Sequence, residues 1–245
     1  MGERMRRAER PVMRAWNRMG AVVAVALLLG ACAQTKSFLT SESLAQKPTN
    51  PRVLIMPTDV ELSELTAAGL LEPNAAWTEM GRSNVDAALD SLLAGLNTTV
   101  VRYDESSTAG SDAETQLLKL HSAVGASILA HKYLPALALP TKKNKFDWSL
   151  GTGATALRGR YDADYALFIY LRDSFASGGR VALIVVGALF GVGVQGGTQV
   201  GFASLVDLRS GEIIWFNRLV SGAGDLRKPD LARGATENLL DDLPL

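Results

Sequence analysis

The sequence predicts a mixed α/β fold, and three observations carry the prediction. Short β-branched runs alternate with helical stripes through the first half of the chain, strand-forming segments crowd the last third, and a proline-led helical stripe closes it. The expected order is β-α-β-α-(α)-β-β-β-α. That order implies one α/β (α+β) domain over 52–245, with a mixed sheet of about five strands and helices packed on it.

Arg52 to Met56 (RVLIM) is a β-branched run stopped by Pro57 and reads as the first strand. Residues 58–74, with Gly69 and Pro73, read as irregular. From about Thr78 a helical stripe of Val85, Leu89, Leu92 and Leu96 appears, with Gly95 and Asn97 marking its end. Thr98 to Tyr103 (TTVVRY) is a second strand. Ser111 and Glu114 fit a capping box, opening a helix with Leu117, Leu120, Val124 and Ile128 on one side. Pro135 and Pro140 break the chain beyond that helix, Lys142 to Lys145 reads as a solvated turn, and Leu150 to Arg160 is a glycine-weakened helix. Asp164 to Phe175 is a strand. Gly201 to Leu208 and Glu212 to Val220 form a hairpin around Arg209-Ser210-Gly211. Pro229 starts the last helix, with Leu231, Ala235 and Leu239 on its apolar side.

The N-terminal segment has a different character. Six arginines between Arg4 and Arg18 precede the apolar run Ala21 to Leu29, and Leu29-Gly30-Ala31 leads into Cys32, the single cysteine. This resembles a cleavable bacterial lipoprotein signal, residues 1–31, cut before a Cys32 that then carries lipid. The uncharged stretch Gly20 to Ala33 is shorter than the roughly 20 residues a spanning helix needs. The length of the basic region suggests that translation starts at Met13 rather than Met1. With no second cysteine the domain has no internal disulfide, so its stability must come from its core. Ala33, where an aspartate would favour inner-membrane retention, implies an outer-membrane anchor facing the periplasm. Residues 32–51, polar and closed by two prolines, read as a flexible tether placing the domain roughly 25 Å from the lipid.

The first 31 residues hold six of the 25 basic and two of the 25 acidic residues, which leaves the remainder with a formal charge near −4. Such a chain has no basic footprint for nucleic acid.

Asp162-Ala163-Asp164-Tyr165-Ala166-Leu167, followed by Ala203 to Trp215 (ASLVDLRSGEIIW), resembles a phrase shared by a group of envelope lipoproteins. These carry a domain similar to that of the curli-secretion lipoprotein, the penicillin-binding-protein activators and the N-terminal domain of TolB. The resemblance spans about residues 52–240. It implies binding or assembly work in the periplasm and brings no catalytic residue with it. The apolar segment Val181 to Val194 lacks the period-2 alternation of barrel strands, in contrast to the curli exporter.

Val181 to Val194 (VALIVVGALFGVGV) is the second informative segment. A run of 10–14 apolar residues reads as a buried helix, or as a surface contact with membrane or partner, before it reads as a span. Val181, Ile184, Val185, Leu189 and Phe190 are its candidate contact residues. Gly191, Gly193 and Gly196 formally match G-x-G-x-x-G, but strand-like sequence follows where a dinucleotide site needs a helix. His121 and His131, ten positions apart on one helix, would point about 80° apart and not at one metal. No serine lies in a G-x-S-x-G elbow. Asp162 and Asp164 read as strand caps.

The expected function is therefore a non-enzymatic, lipid-anchored binding or assembly module without cofactor or metal. It would have the membrane as one partner through its N-terminal lipid, and a protein or a second copy as the other. The alternative is a membrane-active or export-related oligomer using Val181 to Val194, with a hydrolase behind both.

Overall fold

The computed structural model describes residues 34–39, 48–96, 98–104, 112–142 and 145–245. All belong to the second of two compact units, Ala33–Leu245, the first being Met1–Cys32. The signal, its cleavage residues, Cys32, Ser111 of the capping box and Asn97 lie outside the described residues.

The described residues form eight strands and five α-helices: β1 (Gln34–Leu39), β2 (Arg52–Ile55), β3 (Asp59–Leu65), β4 (Leu71–Pro73), α1 (Ala75–Leu93), β5 (Thr99–Arg102), α2 (Asp112–Tyr133), α3 (Thr155–Tyr161), β6 (Tyr165–Ala176), α4 (Gly178–Leu189), β7 (Gln199–Asp207), β8 (Ile213–Ser221) and α5 (Pro229–Leu239). They build one mixed sheet ordered β1-β8-β7-β6-β2-β5, with β3 on β6 and β4 on β3. The mixed α/β class is as the sequence predicts, with eight strands where about five were expected.

β6 organises the sheet. Its first half pairs in parallel with β2 and its second half in parallel with β3, while all of β7 runs antiparallel along its other side. β2 and β3 are thus two pieces of one line along β6, divided at Pro57, which has no N–H to give the ladder. β3 alternates Val60 and Leu62, both buried, with Asp59 and Glu61. That period-2 pattern is a strand signal inside the segment expected to be irregular. β1, too short to stand out among polar residues, pairs antiparallel with β8 from Gln34 beside Val220 to Leu39 beside Trp215. The segment expected to be a flexible tether therefore contains an ordered edge strand.

Two cores lie on opposite faces of the sheet. Val85, Leu89 and Leu93 of α1 and Ala232, Ala235 and Leu239 of α5 pack with Val53, Leu167, Leu205 and Trp215. On the other face, Leu117 and Ile128 of α2 and Leu157 of α3 pack with Leu54, Phe168, Phe202 and Phe216. The stripe on α2 keeps Leu117, Val124 and Ile128 of the expected set and shifts at its middle. His121 and Gly125 face the sheet, whereas Leu120 is exposed and Val124 packs half-buried at the edge of the core. A Cβ at residue 125 would stand 2.0 Å from Cε2 of Phe202, so only glycine lets this helix close on the ring.

Candidate functional site

The apolar segment Val181 to Val194 does not join either core. Both faces of the sheet are already covered, and α4 is inserted between the paired strands β6 and β7 beyond their ladder. No residue of α4 is buried. Of the predicted contact residues, Val181, Val185, Leu189 and Phe190 are exposed, the last two at 79%. Ile184 is the exception: it is half-buried and lies toward Gly196 of the returning chain. Leu183, Val186 and Val192 add to the exposed set. The buried-helix reading of this segment is overturned.

Local chemistry accounts for the helix. Ser177 caps it, its Oγ accepting from the Arg180 N–H at 3.1 Å. At the other end the Val192 N–H donates to the Gly187 carbonyl at 2.8 Å, and Gly191 adopts φ +72°. That is the six-to-one closure of a Schellman turn, and it needs glycine at the left-handed position. Arg180 fastens the root of the arm by donating from Nε to the Gln195 carbonyl at 2.9 Å and from Nη1 to the Ala67 carbonyl at 3.5 Å. Ser174 and Thr198 close the base, the Thr198 N–H donating to Ser174 Oγ at 2.9 Å.

Sequence reasoning missed a second apolar element beside this root. Leu70 and Leu71 follow the β3–β4 turn and are 63% and 60% exposed. The turn approaches the start of α4, since a Cβ at Gly179 would meet that of Ala67 at 3.3 Å. Two adjacent leucines next to Gly69 were the available signal. Monomers seldom expose contiguous apolar patches beyond a few hundred Å2 without a function for them. Between the two elements runs a cleft of about 540 Å3, lined among others by Glu61, Leu71, Tyr170, Arg172 and Arg180. Both arginines are already engaged, Arg180 with the carbonyls of Gln195 and Ala67. Arg172 pairs through Nη2 with Asp59 at 2.7 Å and lies 4.0 Å from the Tyr170 ring centre.

The other sequence candidates take structural places. His121 is buried, its Nε2 2.9 Å from Ser204 Oγ and its ring stacked on Phe168, and burial pulls its pKa down to about 3. His131 sits at the far end of α2, its Nδ1 2.7 Å from the Leu137 carbonyl oxygen. The histidines therefore meet different neighbours. Asp164 accepts from the Arg52 N–H at 3.1 Å and so anchors the start of β2, while Asp162 takes the left-handed position ending α3 with φ 48°. Gly191, Gly193 and Gly196 follow a helix and lead into a strand, the reverse of the phosphate-binding order. Glu114 is held by Tyr103 and Arg160, at 2.7 and 2.8 Å. Among the described residues no group of three metal-ligating side chains comes together, and no helix is long and apolar enough to cross a membrane.

No family model and no curated protein matches this chain. Solved structures that align over most of it include two PelC assemblies. The PelC dodecamer from Paraburkholderia phytofirmans is 10% identical, with a TM-score of 0.40, over 85% of this chain and 95% of that one. A point-substituted PelC dodecamer from the same organism is also 10% identical, with a TM-score of 0.37, over 85% of this chain and 96% of that one. A likeness of this size bears on neither the function nor the assembly of the present protein.

Proposed function

We propose that the chain is a lipid-anchored, non-enzymatic module on the periplasmic side of the cell envelope, and that it works by docking through α4. One observation carries this reading: a capped helix whose apolar side chains pack on neither core and stand in solvent. Keeping such a helix folded and exposed is costly unless a partner covers it. The lipobox-like sequence ending at Cys32 and the resemblance to envelope lipoproteins belong to the same reading, as does an outer-membrane location.

The test uses the unit beginning at Ala33, without the anchor. Val185 is exposed, so Val185→Asp should leave circular dichroism and thermal stability within about 0.5 kcal/mol of wild type. The wild-type domain should self-associate or require detergent, and the variant should run as a monodisperse species without it. A wild-type domain that is monodisperse in buffer, together with a variant that unfolds, would return α4 to the core and end the docking reading.

A further inference from the structure

The exposed apolar elements and the start of the described chain share one end of the sheet. β3 and β6 run toward this end, β7 leaves from it, β8 returns to it and β1 begins at it. Register makes this explicit: Gln34 lies beside Val220, Val220 beside Val200, and Val200 beside Arg172. β6 continues from Arg172 to Ala176 and passes directly into α4, while Leu65 beside Ala176 brings the turn before Leu70 and Leu71 to the same place. β1 stands three strand spacings from β6, about 14 Å. Cys32 precedes Gln34 by two residues, which span at most about 7 Å when extended. The ordering of β1 therefore replaces a long tether with a short link.

Resting on the docking reading above, we propose that the partner of α4 is the lipid leaflet that holds the acyl chains of Cys32. On this geometry α4, Leu70 and Leu71 enter the headgroup boundary beside the anchor, and the sheet stands on the membrane with its β7–β8 turn pointing away. A 12-residue helix is about 18 Å long, too short to cross but suited to lie in the interface. A second copy would also cover the arm, but nothing would then tie the arm to the end that carries the lipid. Several acyl chains already hold a protein durably. The arm's contribution is therefore orientation, and the test must read depth rather than affinity.

Cys32 is the only native cysteine, so in the mature lipidated chain its sulfur is blocked and an introduced Leu189→Cys is the one free thiol. The chain is placed in vesicles of phosphatidylethanolamine and phosphatidylglycerol, and the thiol carries a polarity-sensitive fluorophore. Lipids brominated on their acyl chains should quench it at least about threefold more than the same probe on Ser210→Cys in the β7–β8 turn, given an interfacial depth of about 5–10 Å. Equal quenching at the two sites overturns the proposal. A Leu189 probe that is blue-shifted yet unquenched means that protein covers the arm, so docking stands and the lipid assignment falls. A probe fully solvated in vesicles defeats both. Thiol labelling of the wild-type mature chain would show Cys32 unacylated and would remove the anchor on which the proposal rests.

Discussion

His121 and Asp173 are both buried and ionisable, and burial drives them in opposite directions along the pH axis. His121 titrates at about 3 in the fold against 6.5 unperturbed, because desolvation disfavours the imidazolium. The unfolded chain therefore binds more protons between those values. Stability from this group is complete above pH 6.5 and falls on acidification by up to about 1.4 kcal/mol per pH unit. Asp173 rises from 3.8 to about 6, chiefly through desolvation, although the Leu226 N–H and the Gln199 amide both donate to it. Here the folded state holds the extra proton. The contribution is full below pH 3.8 and is lost as pH rises through about 6, by at most about 3 kcal/mol. Between pH 4 and 6 the two slopes oppose each other. Asp173→Asn should expose the histidine slope, so that urea stability climbs more steeply with pH than in wild type. His121→Asn should tilt the curve the other way. Parallel pH curves for all three proteins would show that neither group titrates as its burial dictates.

At the scale of elements, Asn217 joins three pieces of the fold. It is fully buried on β8, its amide donates at 3.1 Å to the carbonyls of Asn238 and Leu239 at the end of α5, and its Oδ1 accepts from the Lys36 N–H of β1 at 3.2 Å. The Leu239 carbonyl lies at the helix end, where no intrahelical donor reaches, and such a group costs about 1–3 kcal/mol if left buried and unpaired, whereas the Asn238 carbonyl also accepts from the Asp241 N–H at 3.4 Å. Asn217→Ala should therefore cost about 2 kcal/mol in urea unfolding, whereas Glu237→Ala on the exposed side of α5 should stay within about 0.5 kcal/mol. Equal effects would refute the latch. Nothing in the sequence marks Asn217, because its partners are backbone atoms of β1 and α5, distant in sequence and brought to it only by the folded register. What was legible followed hydrophobic period: β2, α1, β5, α2, β6, the β7–β8 hairpin and α5 all lie within a few residues of their expected places. The stripes themselves slipped. On α2 His121 and Gly125 face the sheet beside Val124, and Leu120 does not. On α5 Ala232 and Thr236 are buried while Leu231 is exposed. Small residues win where a helix lies close to a sheet, and hydropathy does not record closeness. β1 and β4 escaped because a polar strand and a three-residue one draw their stability from pairing rather than from apolar runs, whereas the alternation of β3 was legible but lay in a segment that Gly69 and Pro73 made look irregular.

For the whole molecule, the outcome turns on whether apolar residues in series find a common core. Val181 to Val194 has the composition of a core helix and is excluded from the core by topology, since the sheet it interrupts is already covered on both faces. The sequence presented buried helix and surface contact as alternatives that only the layering could separate. If α4 serves the same membrane as Cys32, lipid and arm act as two attachments of unequal strength, and a four-way comparison resolves them. Cys32→Ser in the full chain should leave an unprocessed precursor that takes up no labelled fatty acid, and normal labelling would sink the lipobox assignment. In the lipidated chain, replacing Leu189 and Phe190 together by Asp should leave the protein in the membrane fraction, because the acyl chains suffice. In the unit beginning at Ala33, exported without lipid, the same pair should lower binding to vesicles at least about tenfold. Each of those side chains is worth about 1.5–3 kcal/mol when fully buried, and about 1.4 kcal/mol is a factor of ten. A paired substitution that releases the lipidated chain would mean that the arm, and not Cys32, is the principal anchor. Unchanged binding of the unlipidated unit would mean that α4 meets no lipid at all.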